Sequence, residues 1–245
     1  MVQIEVSCNT VNDCITAKKC GADRIQLSSG GMFGGLSPTL GALISVKDKI
    51  DIPVMTVVRA RFGGFNYTEE EFLSCCIDAR MFCEYGADGI IFGFLNEEGN
   101  LDYEKCAKFL NYVKTDDIIF NRAIDIVNNP FETIEKLISL GVKRIMTSGA
   151  RSNVIDGLET IKLMQSRFGS KIEFLPSGDF NSENINKFIE ETGVSQVNIN
   201  QSGLYTANIP SSNMNFGINK LIDFGSFNAL DISRLNKIIS RVKNV

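Results

Sequence analysis

The sequence predicts an α/β protein of the TIM (β/α)8 barrel class, built as a single domain over residues 1–245. Three observations carry that expectation. Eight short apolar runs rich in Val, Ile and Phe recur along the chain. Each is continuous rather than alternating, the pattern of strands covered on both faces. A helical pattern follows every one of them. Finally, 245 residues is close to the roughly 250 that eight β-α units need. A doubly wound open sheet is the alternative, but it requires a break in this regular alternation.

The first strand is expected at 2–6 and the first helix at 9–20, closed by Gly21 in the phrase Cys20-Gly21-Ala22-Asp23. The second strand, 24–27, leads through a glycine-rich loop, Gly34-Gly35-Leu36-Ser37, into a helix at 38–49. Pro38 suits the first turn of that helix. After the strand at 54–58, Thr68-Glu69-Glu70-Glu71 reads as a capping box opening the third helix. The punctuation recurs as Tyr85-Gly86-Ala87-Asp88 before the strand at 89–94, and as Leu140-Gly141-Val142 before the strand at 144–147. The remaining strands are expected at 118–121, 172–175 and 196–199, and the remaining helices at 101–113, 130–140, 153–168, 182–192 and 231–242. A segment at about 205–227, rich in Asn, Ser and Gly, is expected as an irregular insert before the last helix, placed to fold over the barrel mouth.

Composition limits the functional classes. A formal charge of −4 without a basic stripe argues against nucleic acid as the partner. No signal-peptide pattern opens the chain, and no apolar run approaches the length of a membrane span, so a cytoplasmic protein without membrane partners is expected. Seven cysteines without a C-x-x-C pair match neither a disulfide framework nor a zinc site. They read mainly as small apolar groups on helices. Histidine is absent, which removes the commonest general base and the commonest metal ligand together.

Barrel sites are built from C-terminal strand ends. Those positions nominate Gln26, Arg59, Asn121, Arg122, Thr147, Ser148, Gly149, Ser177, Gly178 and Asn198 as ligand-binding residues. Guanidinium groups hold carboxylate or phosphate in bidentate fashion, and small glycine-containing loops before helices present N–H groups to anions. Glu5 and Asp125 are the candidate catalytic carboxylates, with Asp179 a weaker third. Arg122 could equally pair with Glu5 or Asp125 and tie strands together. No metal ligand set is visible. Cys8 is the single thiol near a strand end, and alternation turns it away from the side that Ser7 faces.

With these residues in place, the chain resembles the copper homeostasis protein CutC family. The matching phrases are Ile4-Glu5-Val6, Gly21-Ala22-Asp23-Arg24-Ile25, Gly34-Gly35-Leu36-Ser37-Pro38-Thr39-Leu40-Gly41 and Val58-Arg59. Arg122-Ala123-Ile124-Asp125, Asn129-Pro130, Thr147-Ser148-Gly149 and Glu183-Asn184 follow in order. The resemblance implies a cytoplasmic TIM barrel, a homo-oligomer, a role in copper homeostasis and Cu(I) as the bound species. It also implies cysteine where this chain has Ser7 and Ser28, Glu at Gln26, and His at Asn121 and Asn198. A hydroxyl is a poor ligand for a soft metal, and an amide is no base near neutral pH. The expected function is therefore CutC-like copper homeostasis with copper binding itself in question. The alternatives are a barrel that binds or turns over a small anionic metabolite bearing phosphate or carboxylate, and a degenerate binding barrel without chemistry.

Overall fold

A computed structural model describes residues 2–206 and 226–243. Eight parallel strands close into a barrel in sequence order: β1 (Gln3–Cys8), β2 (Arg24–Leu27), β3 (Val54–Val57), β4 (Gly89–Phe92), β5 (Asp117–Phe120), β6 (Arg144–Thr147), β7 (Glu173–Gly178) and β8 (Gln196–Ile199). Around it run α1 (Val11–Cys20), α2 (Leu40–Lys49), α3 (Glu69–Glu84), α4 (Tyr103–Leu110), α5 (Pro130–Ser139), α6 (Leu158–Phe168), α7 (Ile185–Thr192) and α8 (Ile232–Lys243). The expected TIM barrel is thus the fold, and an open doubly wound sheet is excluded by the β1–β8 pairing of Glu5 with Asn198.

The continuous apolar runs have the cause inferred for them. Along β1, Ile4, Val6 and Cys8 turn outward and are fully buried against the helices. A separate apolar cluster of Met55, Val57, Ile91, Ile119, Met146 and Leu175 fills the barrel interior. On the outer layer Phe92 stacks on Phe109 at 4.8 Å and meets Phe120 edge-on at 5.6 Å. Each such buried ring contributes roughly 1.5–3 kcal/mol relative to exposure, so strand and helix are locked together there.

Polar residues replace the apolar filling near β1 and at the barrel base. Arg24 donates to Glu5 at 2.5 Å, Gln3 at 2.8 Å and Gln196 at 2.7 Å. Arg144 pairs with Asp117 at 2.8 Å and with Glu173 at 3.0 Å. Burial alone would push the Glu173 carboxyl up. Hydrogen bonds from Gln196 and Arg144 outweigh it and hold the group below its ordinary range.

Element edges depart from expectation where side chains cap the backbone. Helix α2 starts at Leu40 rather than Pro38, because Thr39 Oγ1 accepts the Ala42 N–H at 3.1 Å and so becomes the cap. The Thr68 capping box with Glu71 forms as expected. Helix α6 begins at Leu158, not 153, because the loop before it is bent away from helix. Gly149 and Ala150 there both take positive φ, 73° and 57°. At the two edges of the expected irregular insert the chain forms an antiparallel ribbon, β9 (Ser202–Thr206) with β10 (Ser226–Leu230). Residues 207–225 lie outside the described residues. No helix among the described residues is long and apolar enough to cross a membrane.

Candidate functional site

At the C-terminal mouth a cavity of about 240 Å³ opens between the strand ends. Its wall contains Gln26, Arg59, Asn121, Arg122, Ser177 and Gly178 from the expected set, together with Ser7 and Ser28. Its floor is apolar: Val57, Ile91 and Met146. Glu5, Asp125, Thr147, Ser148, Gly149 and Asn198 stand behind this wall rather than in it. Asn9, Phe65, Ser152 and Asn200 join it from loops beyond the strand ends. Only Asn200 carried a sequence signal, as the inward position two residues past Asn198.

Arg59 follows β3 and is 7% exposed. One of its terminal nitrogens, Nη1, donates to the carbonyls of Phe33 (2.9 Å) and Gly35 (3.0 Å), and the other, Nη2, to that of Gly63 (2.7 Å). The guanidinium lies over the Phe65 ring, 5.0 Å from its centroid. Gly34, at φ 80°, lets the loop close on it: a Cβ there would lie 3.2 Å from Arg59 Nη1. Among the described residues no carboxylate pairs with Arg59, and its Nε is buried without a partner. A cation is thus held in the cavity wall by dipoles, without an ion-pair partner among the described residues; the one carboxylate of the lining, Asp179, is exposed at the rim.

Arg122 is arranged differently. It follows β5 in a 3-10 turn, Arg122–Ile126, whose N-cap Asn121 accepts the Ala123 N–H at 2.9 Å. Arg122 Nε donates to Asp125 at 2.8 Å, and Nη2 donates to Ser148 Oγ. The Asp125 carboxylate also accepts from Thr147 Oγ1 (2.5 Å), Ser148 Oγ (2.9 Å), and the N–H groups of Ser148 (2.9 Å) and Ala150 (3.1 Å). Gly149 N–H is taken by Thr147 Oγ1 at 2.9 Å. The donors expected to receive an outside anion at 147–149 therefore hold the chain's own carboxylate. Asp125 has its oxygens filled by donors and acts as a clamp on that loop rather than as an available base.

Glu5 also sits deeper than expected. Strand β1 runs on to Cys8, which leaves Glu5 one inward position below Ser7 and fully buried. It is paired to Arg24 and accepts Asn198 Nδ2 at 2.8 Å. The same Asn198 nitrogen donates to Gln26 Oε1 at 2.9 Å, while Asn198 Oδ1 accepts from Ser7 at 3.0 Å and Ser177 at 2.9 Å. Four of the nominated residues, Glu5, Gln26, Ser177 and Asn198, thus join one closed network with Ser7.

Sulfur does not converge on the mouth. Cys8 and Cys14 are buried in the wall between barrel and α1, and burial raises the Cys8 thiol well above its usual range. Cys75 and Cys76 on α3 are pushed up to about 12 and about 11 by burial. Among the described residues no group of three His, Cys, Asp or Glu side chains is placed to hold a metal. The side chains at the mouth offer hydroxyls, amides, guanidinium groups and the exposed Asp179 carboxylate, which as hard or cationic groups do not fit Cu(I).

The family model described as the CutC family matches residues 2–203. A CutC family protein of Treponema denticola is 39% identical over 196 residues, 80% of this chain and 80% of that protein. The human copper homeostasis protein cutC homolog is 30% identical over 244 residues, 99% of this chain and 89% of that protein. A crystal structure of a CutC protein from Streptococcus agalactiae superposes with a TM-score of 0.77 at 24% identity, covering 81% of this chain and 98% of that one. Phosphoribosyl anthranilate isomerase of Thermotoga maritima aligns at a TM-score of 0.59 and 14% identity over the whole of both chains, a likeness of fold alone.

Proposed function

The chain belongs to the CutC family, and from that membership and the chemistry of its mouth we propose a barrel that binds a small anionic metabolite, bearing carboxylate or phosphate. One observation carries this reading: Arg59, buried in the cavity wall, has no carboxylate partner among the described residues. Its contacts to three carbonyls and a ring orient the cation without neutralising it. Such a group holds an incoming anion more strongly than a paired surface arginine does. Arg122, half-exposed in the wall of the same cavity, supplies further donors.

Binding rather than proton transfer is the role proposed. The chain has no histidine, and the two nominated carboxylates are engaged, Glu5 with Arg24 and Asp125 with the 147–150 loop. Relatives bear the name copper homeostasis protein, but a Cu(I) site of the thiolate kind is not supported by hydroxyls at Ser7 and Ser28. The proposed compartment is the cytoplasm, consistent with seven free thiols.

Thermal unfolding with phosphate and carboxylate panels tests the proposal. A ligand at a hundredfold excess over its Kd adds about 2.7 kcal/mol. For a chain of this size that raises the melting temperature by roughly 5–10 °C. The Arg59→Ala variant should lose that rise. No rise with any anion, together with tight anaerobic Cu(I) binding that persists after the exposed thiols are alkylated, would replace this proposal by a copper-binding one.

A further inference from the structure

Two amides of the cavity wall, Gln26 and Asn121, turn donors rather than acceptors to the cavity, and the cause lies in the groups that hold their oxygens. Glu5, ion-paired to Arg24, accepts the amide nitrogen of Asn198, which fixes which way that amide is turned. That same nitrogen faces Gln26, which must answer with its oxygen. Gln26 Oε1 is thus spent inside the wall, and Gln26 Nε2 is left for the cavity, with no hydrogen bond among the described residues. Asn121 reaches the same outcome independently. Its Oδ1 is fixed by the Ala123 N–H, a group that can only donate, and its Nδ2 makes no hydrogen bond among the described residues. Asn121 is only 8% exposed, so this open donor belongs to the cavity and not to bulk solvent.

We infer that the mouth selects an oxo acid: a small monoanion whose second polar group is a carbonyl that only accepts, with Gln26 and Asn121 as specificity-determining residues. The inference rests on the anion-binding proposal above. The charge follows from the wall: among the described residues Arg59 has no ion-pair partner, Arg122 is shared with Asp125, and the one carboxylate of the lining, Asp179, is exposed at the rim, so one negative charge is matched at Arg59. The carbonyl follows from the two amide donors. A hydroxyl at that point brings its own proton, which needs an acceptor, while Gln26 and Asn121 have committed theirs. The acceptors that remain, the Asp179 carboxylate and the Asn200 amide, sit at the exposed rim in the loops after β7 and β8. The apolar floor of Val57, Ile91 and Met146 suits the short carbon chain between the two polar ends. Glu5 is then a positioning residue: through Asn198 it sets which end of the Gln26 amide the cavity sees.

Calorimetric titration of the full chain with three matched probes tests this: 2-oxoisovalerate, 2-hydroxyisovalerate and isovalerate. The expected result is at least about tenfold tighter binding of the oxo acid than of either other acid, the scale at which an unpaired buried polar group is felt. Asn121→Asp keeps the oxygen that caps Ala123 and replaces the donor by an anionic acceptor. It should abolish binding of all three without lowering the melting temperature by more than a few degrees. Glu5→Gln lets the Asn198 and Gln26 amides reverse, and should erase the oxo preference while isovalerate still binds. If that variant does not fold, Gln26→Met, which removes the donor outright, should do the same. Equal affinity for the three acids in the native chain overturns the inference and leaves anion binding standing. Failure of all three, with phosphate also silent, overturns anion binding itself.

Discussion

Removing the Asp125 carboxylate should cost stability, and the structure sets how much. Asp125 receives hydrogen bonds from Arg122 Nε, Thr147 Oγ1, Ser148 Oγ, and the N–H groups of Ser148 and Ala150. Not all are lost equally in Asp125→Ala. Ala150 is exposed and Arg122 is 40% exposed, so both regain water. Ser148 and Thr147 are fully buried, and the Ser148 N–H is left unsatisfied. A stranded buried donor costs about 1–3 kcal/mol, and the lost charge-assisted bonds add to it, so about 3 kcal/mol is expected. At this chain length that lowers the melting temperature by roughly 6–12 °C. Because the vacated loop is a ready-made anion site, formate or acetate should restore part of the loss, while chloride at equal ionic strength restores less. Differential scanning calorimetry reads both effects. A loss under about 2 °C would refute the assignment of Asp125 as the loop's internal anion and reopen it as a group held free for chemistry.

Acid stability should report on Glu173. Its folded pKa lies below its unfolded value, so its stabilisation is fully present above about pH 4.3 and is lost as pH falls through the lower, folded value. Glu173→Gln should flatten the acid limb of a melting-temperature profile, and an unchanged limb speaks against the Arg144 and Gln196 contacts. Thiol chemistry gives a second check: a disulfide reagent should modify half-buried Cys20 and Cys83 in the native protein, and the other five only on unfolding. Fast native modification of all seven contradicts their burial. Gly157→Ala should destabilise by about 3 kcal/mol or more, since its Cβ would overlap the Ser148 carbonyl oxygen, and a wild-type denaturation midpoint would show that loop to be looser than described.

The barrel was legible because each strand announces itself within four to six residues and each helix end carries local punctuation. Gly21, for example, does adopt the left-handed conformation that its position in Cys20-Gly21-Ala22-Asp23 suggests. Boundaries failed where a hydrogen bond decides them. Pro38 looks like a helix start, yet the Thr39 hydroxyl reaches Ala42 and takes the cap one residue later. The site was legible as a roster of strand ends and not as a chemistry. Nothing local in Thr147-Ser148-Gly149 says that a carboxylate 22 residues earlier in the chain already fills its donors. Nothing in Glu5 says that β1 continues to Cys8 and sinks it below the mouth. Both depend on which groups meet across the barrel, and spacing along the chain does not encode lone-pair occupancy.

The contrast among the buried arginines is what separates a functional cation from structural ones. Arg24 and Arg144, 2% and 3% exposed, each face carboxylates: Glu5 for the one, Asp117 and Glu173 for the other. Their charges are cancelled locally, as burial in low dielectric requires. Arg59 is buried nearly as well, yet the groups around it are the Phe33, Gly35 and Gly63 carbonyls and the Phe65 ring. Carbonyl dipoles lower the cost of burying the cation but leave its net charge. The barrel therefore carries neutralised arginines where polar groups plug its base and an uncancelled one where a cavity opens to solvent. A clamp between two loops does not need that arrangement, since a nearby carboxylate would hold the same guanidinium more firmly. An exchangeable anion does need it.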